Sequence, residues 1–183
     1  IHPLPDEPIA PPGRAPKSRD MRRSLQHFTA NIAASSIHLF QEVIDEIVYL
    51  AVLMPIVASM GGVAATQTLT IVLRGLTLDQ INSSNINWLL KRELAVSILN
   101  GMVLSILVGS ITYAWFQDFT IAILISLALI INLISSVIAG IIVPLILRRF
   151  KQDPAIGGSV VVTTVTDVIG FVSFLGLATI YLI

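Results

Sequence analysis

Gly157 to Ile183 reads GGSVVVTTVTDVIGFVSFLGLATIYLI. The run is apolar enough and long enough to cross a bilayer as a helix, which takes about 20 such residues. Asp167 sits in its middle, and the segment contains no Lys, Arg or His. A carboxylate at the centre of a spanning helix costs about 2.5–3.5 kcal/mol on the insertion scale. That cost makes Asp167 a candidate functional group, and the rest of the chain is read for what would partner it.

Working outward, the composition agrees with a membrane protein. Of 183 residues, 55% are hydrophobic and 12% charged, about half the charged share of a soluble domain, and the mean hydropathy is +0.86. There is no cysteine, which excludes disulfides, thiolate metal sites and thiol nucleophiles. No enzyme signature is present, neither GxSxG, HExxH nor a Walker loop, so no enzymatic activity is expected. Nucleic-acid binding is not expected either, because basic residues occur only in short connections.

Ahead of the Asp167 segment, four further spans are expected. Residues 1–23 form a Pro-rich cytoplasmic leader or linker, with six prolines in the first twenty residues and no hydrophobic periodicity. The chain starts Ile-His-Pro, and is read as a fragment or processed form. Ser24–Gln41 is a weaker first span. Its His27, Asn31, Ser35 and His38 share one helical face, which should turn toward protein and bond between helices. The two histidines lie about 16 Å apart along such a helix and cannot share a metal.

Ile47–Leu73 is the second span, interrupted by Pro55 and Gly61-Gly62 and followed in register by Thr66 and Gln67. Such breaks occur where neighbours or water satisfy freed carbonyls, so this span is expected to line a pathway. Thr77-x-x-Gln80 has capping-box spacing for a short surface helix. Leu94–Trp115 is the third span, with a Ser97, Gly101, Ser105, Gly109 ridge suited to close helix packing. Gln117-Asp118 makes a tight turn into the fourth span, Phe119–Leu147.

All eleven Lys and Arg fall before span one, between two and three, or between four and five. The opposite connections carry only Glu42, Asp45, Glu46 and Asp118. The positive-inside rule then puts the N-terminus in the cytoplasm and the C-terminus outside. The expected fold is an all-α integral membrane protein with five transmembrane helices in residues 24–183, multi-pass in a cell membrane, the prokaryotic inner membrane by expectation.

Thr163 and Thr164 lie about one turn before Asp167, and Gly170 nearly one turn after. Oxygen-only surroundings suit hard cations such as Mg²⁺, and the acidic outer loops concentrate cations at the mouth. The blander reading is a structural Asp167 hydrogen-bonded to Thr163. Five spans do not divide into two inverted repeats. A two-fold homodimer would bring two Asp167 carboxylates toward one axis, where a largely hydrated dication would offset their repulsion.

The run Met54 to Gly62, continuing to Thr66-Gln67 and Arg74-Gly75, resembles the second membrane helix of the MgtE magnesium channels and transporters. Asp153-Pro154-Ala155 with Val162 to Phe171 resembles their last helix. The resemblance covers about residues 24–183. It implies a five-helix homodimer whose second and fifth helices line the pore, with Asp167 binding hydrated Mg²⁺ as the transported ion. The candidate lining is then Pro55, Gly61, Gly62, Thr66, Gln67, Thr163, Thr164 and Gly170.

Two departures stand out. The family's Gly-Gly-Asn-x-Gly-Thr-Gln reads here with Val63 and Ala65 in place of Asn and Gly, and the acidic end of its first helix falls at Gln41, beside Glu42. Family members commonly carry cytoplasmic Mg²⁺-sensing domains. The N-terminal and CBS domains that do this sensing are not read in these 183 residues, so a separate cytoplasmic regulatory chain or domain is a candidate partner. The alternatives are an ion-coupled transporter of Mg²⁺, Co²⁺ or another divalent, and a non-conducting scaffold subunit.

Overall fold

The computed structural model describes residues 15–81, 85–151 and 154–182, and these are helical wherever they are regular. Six helices follow one another: α1 (Ala15–His38), α2 (Gln41–Glu46), α3 (Val48–Thr77), α4 (Ile86–Phe116), α5 (Phe119–Arg149) and α6 (Pro154–Leu182). Four of them, α3, α4, α5 and Gly157–Leu182 of α6, are long and apolar enough to cross a membrane. The first expected span is not among these four. Its helix begins at Ala15, inside the stretch read as an extended leader, so it carries the basic residues before Ser24 as well as the apolar ones after it. Residues 1–14, which hold most of that leader, lie outside the described residues.

The connections explain the chain reversals. Gln117 ends α4 in the left-handed conformation, at φ 54°. Asp118 then caps α5, its Oδ1 accepting from the backbone N–H of Thr120 at 2.8 Å and of Ile121 at 3.2 Å. This satisfies two of the four donors that every helix start leaves open. The tight turn expected at 117–118 is therefore present. The short helix expected to start at Thr77 is not formed over residues 78–81, and residues 82–84 lie outside the described residues: α3 runs on through Thr77, and the chain folds back so that the N–H groups of Gln80 and Ile81 both reach the Gly75 carbonyl. A side chain at Gly75 would collide with Ile81.

Close approaches give the directions of the helices. A Cβ at Gly61 would run into Asn132, and one at Gly140 would lie 2.9 Å from the Ala65 carbonyl, so α3 and α5 run parallel. Gly158 faces Leu69, Gly62 faces Thr163 and Gly170 faces Val57, so α6 runs antiparallel to α3. The α4 ridge meets α5 as the sequence suggested. Ser97 donates to the Leu133 carbonyl at 2.9 Å, Gly101 faces Leu133, and Ser126 of α5 donates back to the Ser105 carbonyl at 2.9 Å. Helix association in lipid gains nothing from hiding apolar surface from water, so such close contacts carry the packing.

The central helix is α5, packed against α3, α4 and α6. Leu50, Leu53, Val57, Ile125, Leu129, Phe174 and Leu175 form its main apolar cluster. The outward face of α4 keeps Val96, Leu99, Val103 and Leu107 exposed, as a lipid-facing wall requires. One end of the bundle holds the α3–α4 connection and the end of α5, joined by Arg148 and Asp79 at 3.7 Å. The other end holds the start of α3 and the end of α4, where the Tyr49 and Phe116 rings meet at a tilt of 41° with centroids 4.7 Å apart.

Candidate cation site

Asp167 occupies the middle of α6, a helix without Lys or Arg among its described residues. A 160 Å³ cavity opens beside it, lined from α6 by Val160, Thr163, Thr164 and Asp167 and from α1 by Gln26, Thr29, Ala30 and Ala33. Thr163 also faces α3, since a Cβ at Gly62 would lie 3.9 Å from its methyl group. The Asp167 face of α6 therefore forms the floor of a trough between α1 and α3.

The hydroxyls in this trough are held by their own helices. Thr163 donates to the carbonyls of Ser159 at 2.9 Å and Val160 at 3.1 Å, and Thr164 to Val160 at 2.7 Å. Thr66 on α3 donates to Gly62 and Val63, both at 2.9 Å. Each hydroxyl thus spends its one proton on backbone and keeps oxygen lone pairs for a ligand. Among the described residues no hydrogen bond or ion pair reaches the Asp167 carboxylate, and the bond from Thr163 that the blander reading calls for is not made. No three carboxylates or imidazoles come together among the described residues.

The other candidates divide between exposed and buried positions. Gly62 and Thr66 are partly exposed and Gln67 and Pro55 are exposed, whereas Gly61 and Gly170 are buried. Both buried glycines back onto Asn132 of α5. α3 continues as helix through Pro55 and Gly61-Gly62, so the interruption read from the sequence does not occur. The two departures from the resemblance also separate. Val63 is exposed beside Gly62, while Ala65 is fully buried, its carbonyl against Gly140.

Asn132 was not singled out from the sequence. It is completely buried, and its Nδ2 donates to the Val57 carbonyl at 2.7 Å, joining α5 to α3. Its Oδ1 has no partner among the described residues. The available signal was a lone amide in the otherwise aliphatic and hydroxylic run 119–147.

The polar stripe of α1 behaves differently from expectation. His27, Asn31, Ser35 and His38 are all exposed. The Asn31 amide donates to the His27 carbonyl and the Ser35 hydroxyl to the Asn31 carbonyl, each at 2.8 Å, within the helix. The face that meets α6 carries Thr29, Ala33 and the buried Ser36 instead.

Comparison with known proteins gives a consistent set of matches. The model of the family MgtE, described as divalent cation transporter, matches residues 54–177, a stretch containing the candidate residues of α3 and α6 but not the α1 residues that line the cavity. The magnesium transporter MgtE of Bacillus subtilis (strain 168) is 33% identical over 155 residues, covering 85% of this chain and 34% of that protein. The magnesium transporter MgtE of Thermus thermophilus is 25% identical over 150 residues, covering 82% of this chain and 33% of that protein. That of Enterococcus faecalis is 22% identical over 155 residues, with 85% and 34% covered. The chain thus spans about a third of the length of these relatives.

Proposed function

The chain belongs to the MgtE family of divalent cation transporters, and from that premise we propose that it carries Mg²⁺ across a cell membrane through a pore at the two-fold axis of a homodimer. Asp167 from each copy faces the axis, with Thr163 and Thr164 on α6 and Gly62, Thr66 and Gln67 on α3 along the path. Gly61 and Gly170 act from behind this lining, where they admit Asn132 and fix α3 and α6 against α5.

The observation that carries the proposal is the Asp167 trough, with a carboxylate that has no partner among the described residues and lies beside hydroxyl oxygens whose protons are already used. One copy supplies too few ligands to hold a dehydrated ion. Two carboxylates about 8 Å apart repel by roughly 2 kcal/mol at an effective dielectric of 20, which a dication between them reverses. Mg²⁺ sheds water reluctantly and is commonly held by one or two carboxylates with several waters retained. A wide two-aspartate site suits that ion.

Five spans complete the reading. α1 lies along α6, with Gln26 to Ala33 beside Val160 to Asp167 and Ile37 packed on the cluster containing Phe174 and Leu175. This supports α1 as a further span running parallel to α6. With basic connections in the cytoplasm, α6 ends outside.

The test is Mg²⁺ entry into vesicles containing this chain alone. Uptake well above that of empty vesicles, carried by a cross-linkable dimer, is the expected result. Vesicles with correctly assembled protein and no uptake would refute the proposal and favour a scaffold.

A further inference from the structure

A second cavity, of about 300 Å³, lies at the basic end of the bundle, between the last turns of α3, the connection after it and the first turns of α4. Arg74, Gln80, Trp88 and Arg92 give it polar and aromatic walls, with Ile71 and Ile81 on the apolar side. Its volume is at the lower end of the range for small-molecule sites, about 300–1,000 Å³. The cavity is built rather than incidental. Both N–H groups of Gln80 and Ile81 turn back onto the Gly75 carbonyl, and Ile81 fills the space that a side chain at Gly75 would need.

Its charges are unbalanced. The nearby carboxylate of Asp79 pairs with Arg148 from α5, 3.7 Å away, and among the described residues neither Arg74 nor Arg92 has an ion pair. The Arg92 guanidinium lies over the Trp88 ring, 5.7 Å from its centroid. This cation–π contact holds the Arg92 guanidinium beside the cavity, and a guanidinium can offer phosphate a bidentate contact. Above the cavity, Trp88, Arg92, Val96, Leu99 and Val103 follow helical spacing along one face of α4, and the three aliphatic members are exposed. A head-sized basic cavity therefore continues into an apolar strip running toward the bilayer centre.

We infer that this cavity binds the phosphodiester headgroup of an acidic phospholipid, with the acyl chains along the exposed α4 face. The inference rests on the membrane-spanning reading of α3 and α4 but not on Mg²⁺ passage. Basic cavities between helices at the cytoplasmic surface and interfacial tryptophan both fit such a ligand. The apolar strip favours a lipid over a free phosphate, whose chemistry at the arginines would be the same.

The chain has two tryptophans, so Trp115→Phe leaves Trp88 as the reporter. The full chain is placed in nanodiscs of zwitterionic lipid doped with brominated phosphatidylglycerol or, at equal mole fraction, brominated phosphatidylcholine. Quenching of Trp88 is expected to be several-fold stronger with the acidic lipid, and equal quenching would overturn the inference whatever the transport activity. Arg74→Gln is expected to weaken the apparent affinity about fivefold, and Arg74→Gln/Arg92→Gln to abolish the preference. Lys91→Gln and Arg149→Gln remove exposed charge outside the cavity and are expected to keep it. Equal losses in these controls would mean general surface attraction and sink the site. Millimolar glycerol phosphate or inorganic phosphate should not displace the lipid; displacement would assign the cavity to free phosphate and overturn the lipid reading.

Discussion

Asn132 sits where α3, α5 and α6 meet, faced by Gly61 of α3 and Gly170 of α6. Asn132→Ala removes the bond to the Val57 carbonyl and opens a cavity, so stability in detergent should fall by about 1–3 kcal/mol. Thermal unfolding at matched oligomer size would read this, and an unchanged midpoint would mean that the bond contributes nothing. Gly61→Ala and Gly170→Ala should each cost about 1–3 kcal/mol because the added methyl meets the Asn132 amide. Gly62→Ala should be nearly neutral in the same assay, since its methyl would find only ordinary contact with Thr163. A Gly62 variant as unstable as the other two would show that the trough is closed where it is described as open. Val63 is exposed, so Val63→Asn should assemble normally and change divalent flux or preference. An unaltered ion profile would place Val63 away from the path.

The helices themselves were largely legible, because apolar runs bounded by Lys, Arg, Asp and Gln leave little choice of where a span starts or stops. The turn at Gln117-Asp118 was legible too, though the cap it contains was not read from the sequence. Asp118 follows the residue that ends α4 and precedes an apolar run, and Asp118→Ala should lower stability by about 1 kcal/mol, read as a shift in the unfolding midpoint of the purified chain. No shift would mean that water serves those two N–H groups equally well. The sequence was less informative about faces. The α1 stripe has the period of a helix, but period alone does not say whether a polar face meets protein, water or a second copy, and here α6 meets the other side. Nor did Asn132 reveal its role, because its acceptor lies 75 positions away in the chain. Asp167 was visible at once, since one charge in a spanning run needs no partner to be conspicuous. Its neighbours from α1 were not, because that contact joins residues more than 120 positions apart.

At the scale of the whole molecule, basic residues gather at one end of the bundle and the acidic α2 and Asp118 at the other, with the trough between them. Single cysteines at Asp118 and Lys151 should therefore label from opposite sides of sealed vesicles, and labelling of both from one side would remove the proposed topology. The proposed two-fold arrangement would supply the ligands that one copy lacks. Cysteines on the exposed α3 face, at Val63 for example, should cross-link identical chains, and transport by a strictly monomeric preparation would remove the shared axis. The most direct measurement on the central claim is the comparison of wild type and Asp167→Asn for Mg²⁺ uptake together with thermal stabilisation by Mg²⁺. The substitution keeps side-chain volume, breaks no bond among the described residues and removes a costly charge from mid-membrane. The variant should therefore assemble normally and be at least as stable as wild type without Mg²⁺. Wild type should gain about 2.7 kcal/mol at a hundredfold excess of Mg²⁺ over Kd, and the variant should lose most of that gain and most of the flux. Full Mg²⁺ stabilisation and full uptake in Asp167→Asn would contradict the account.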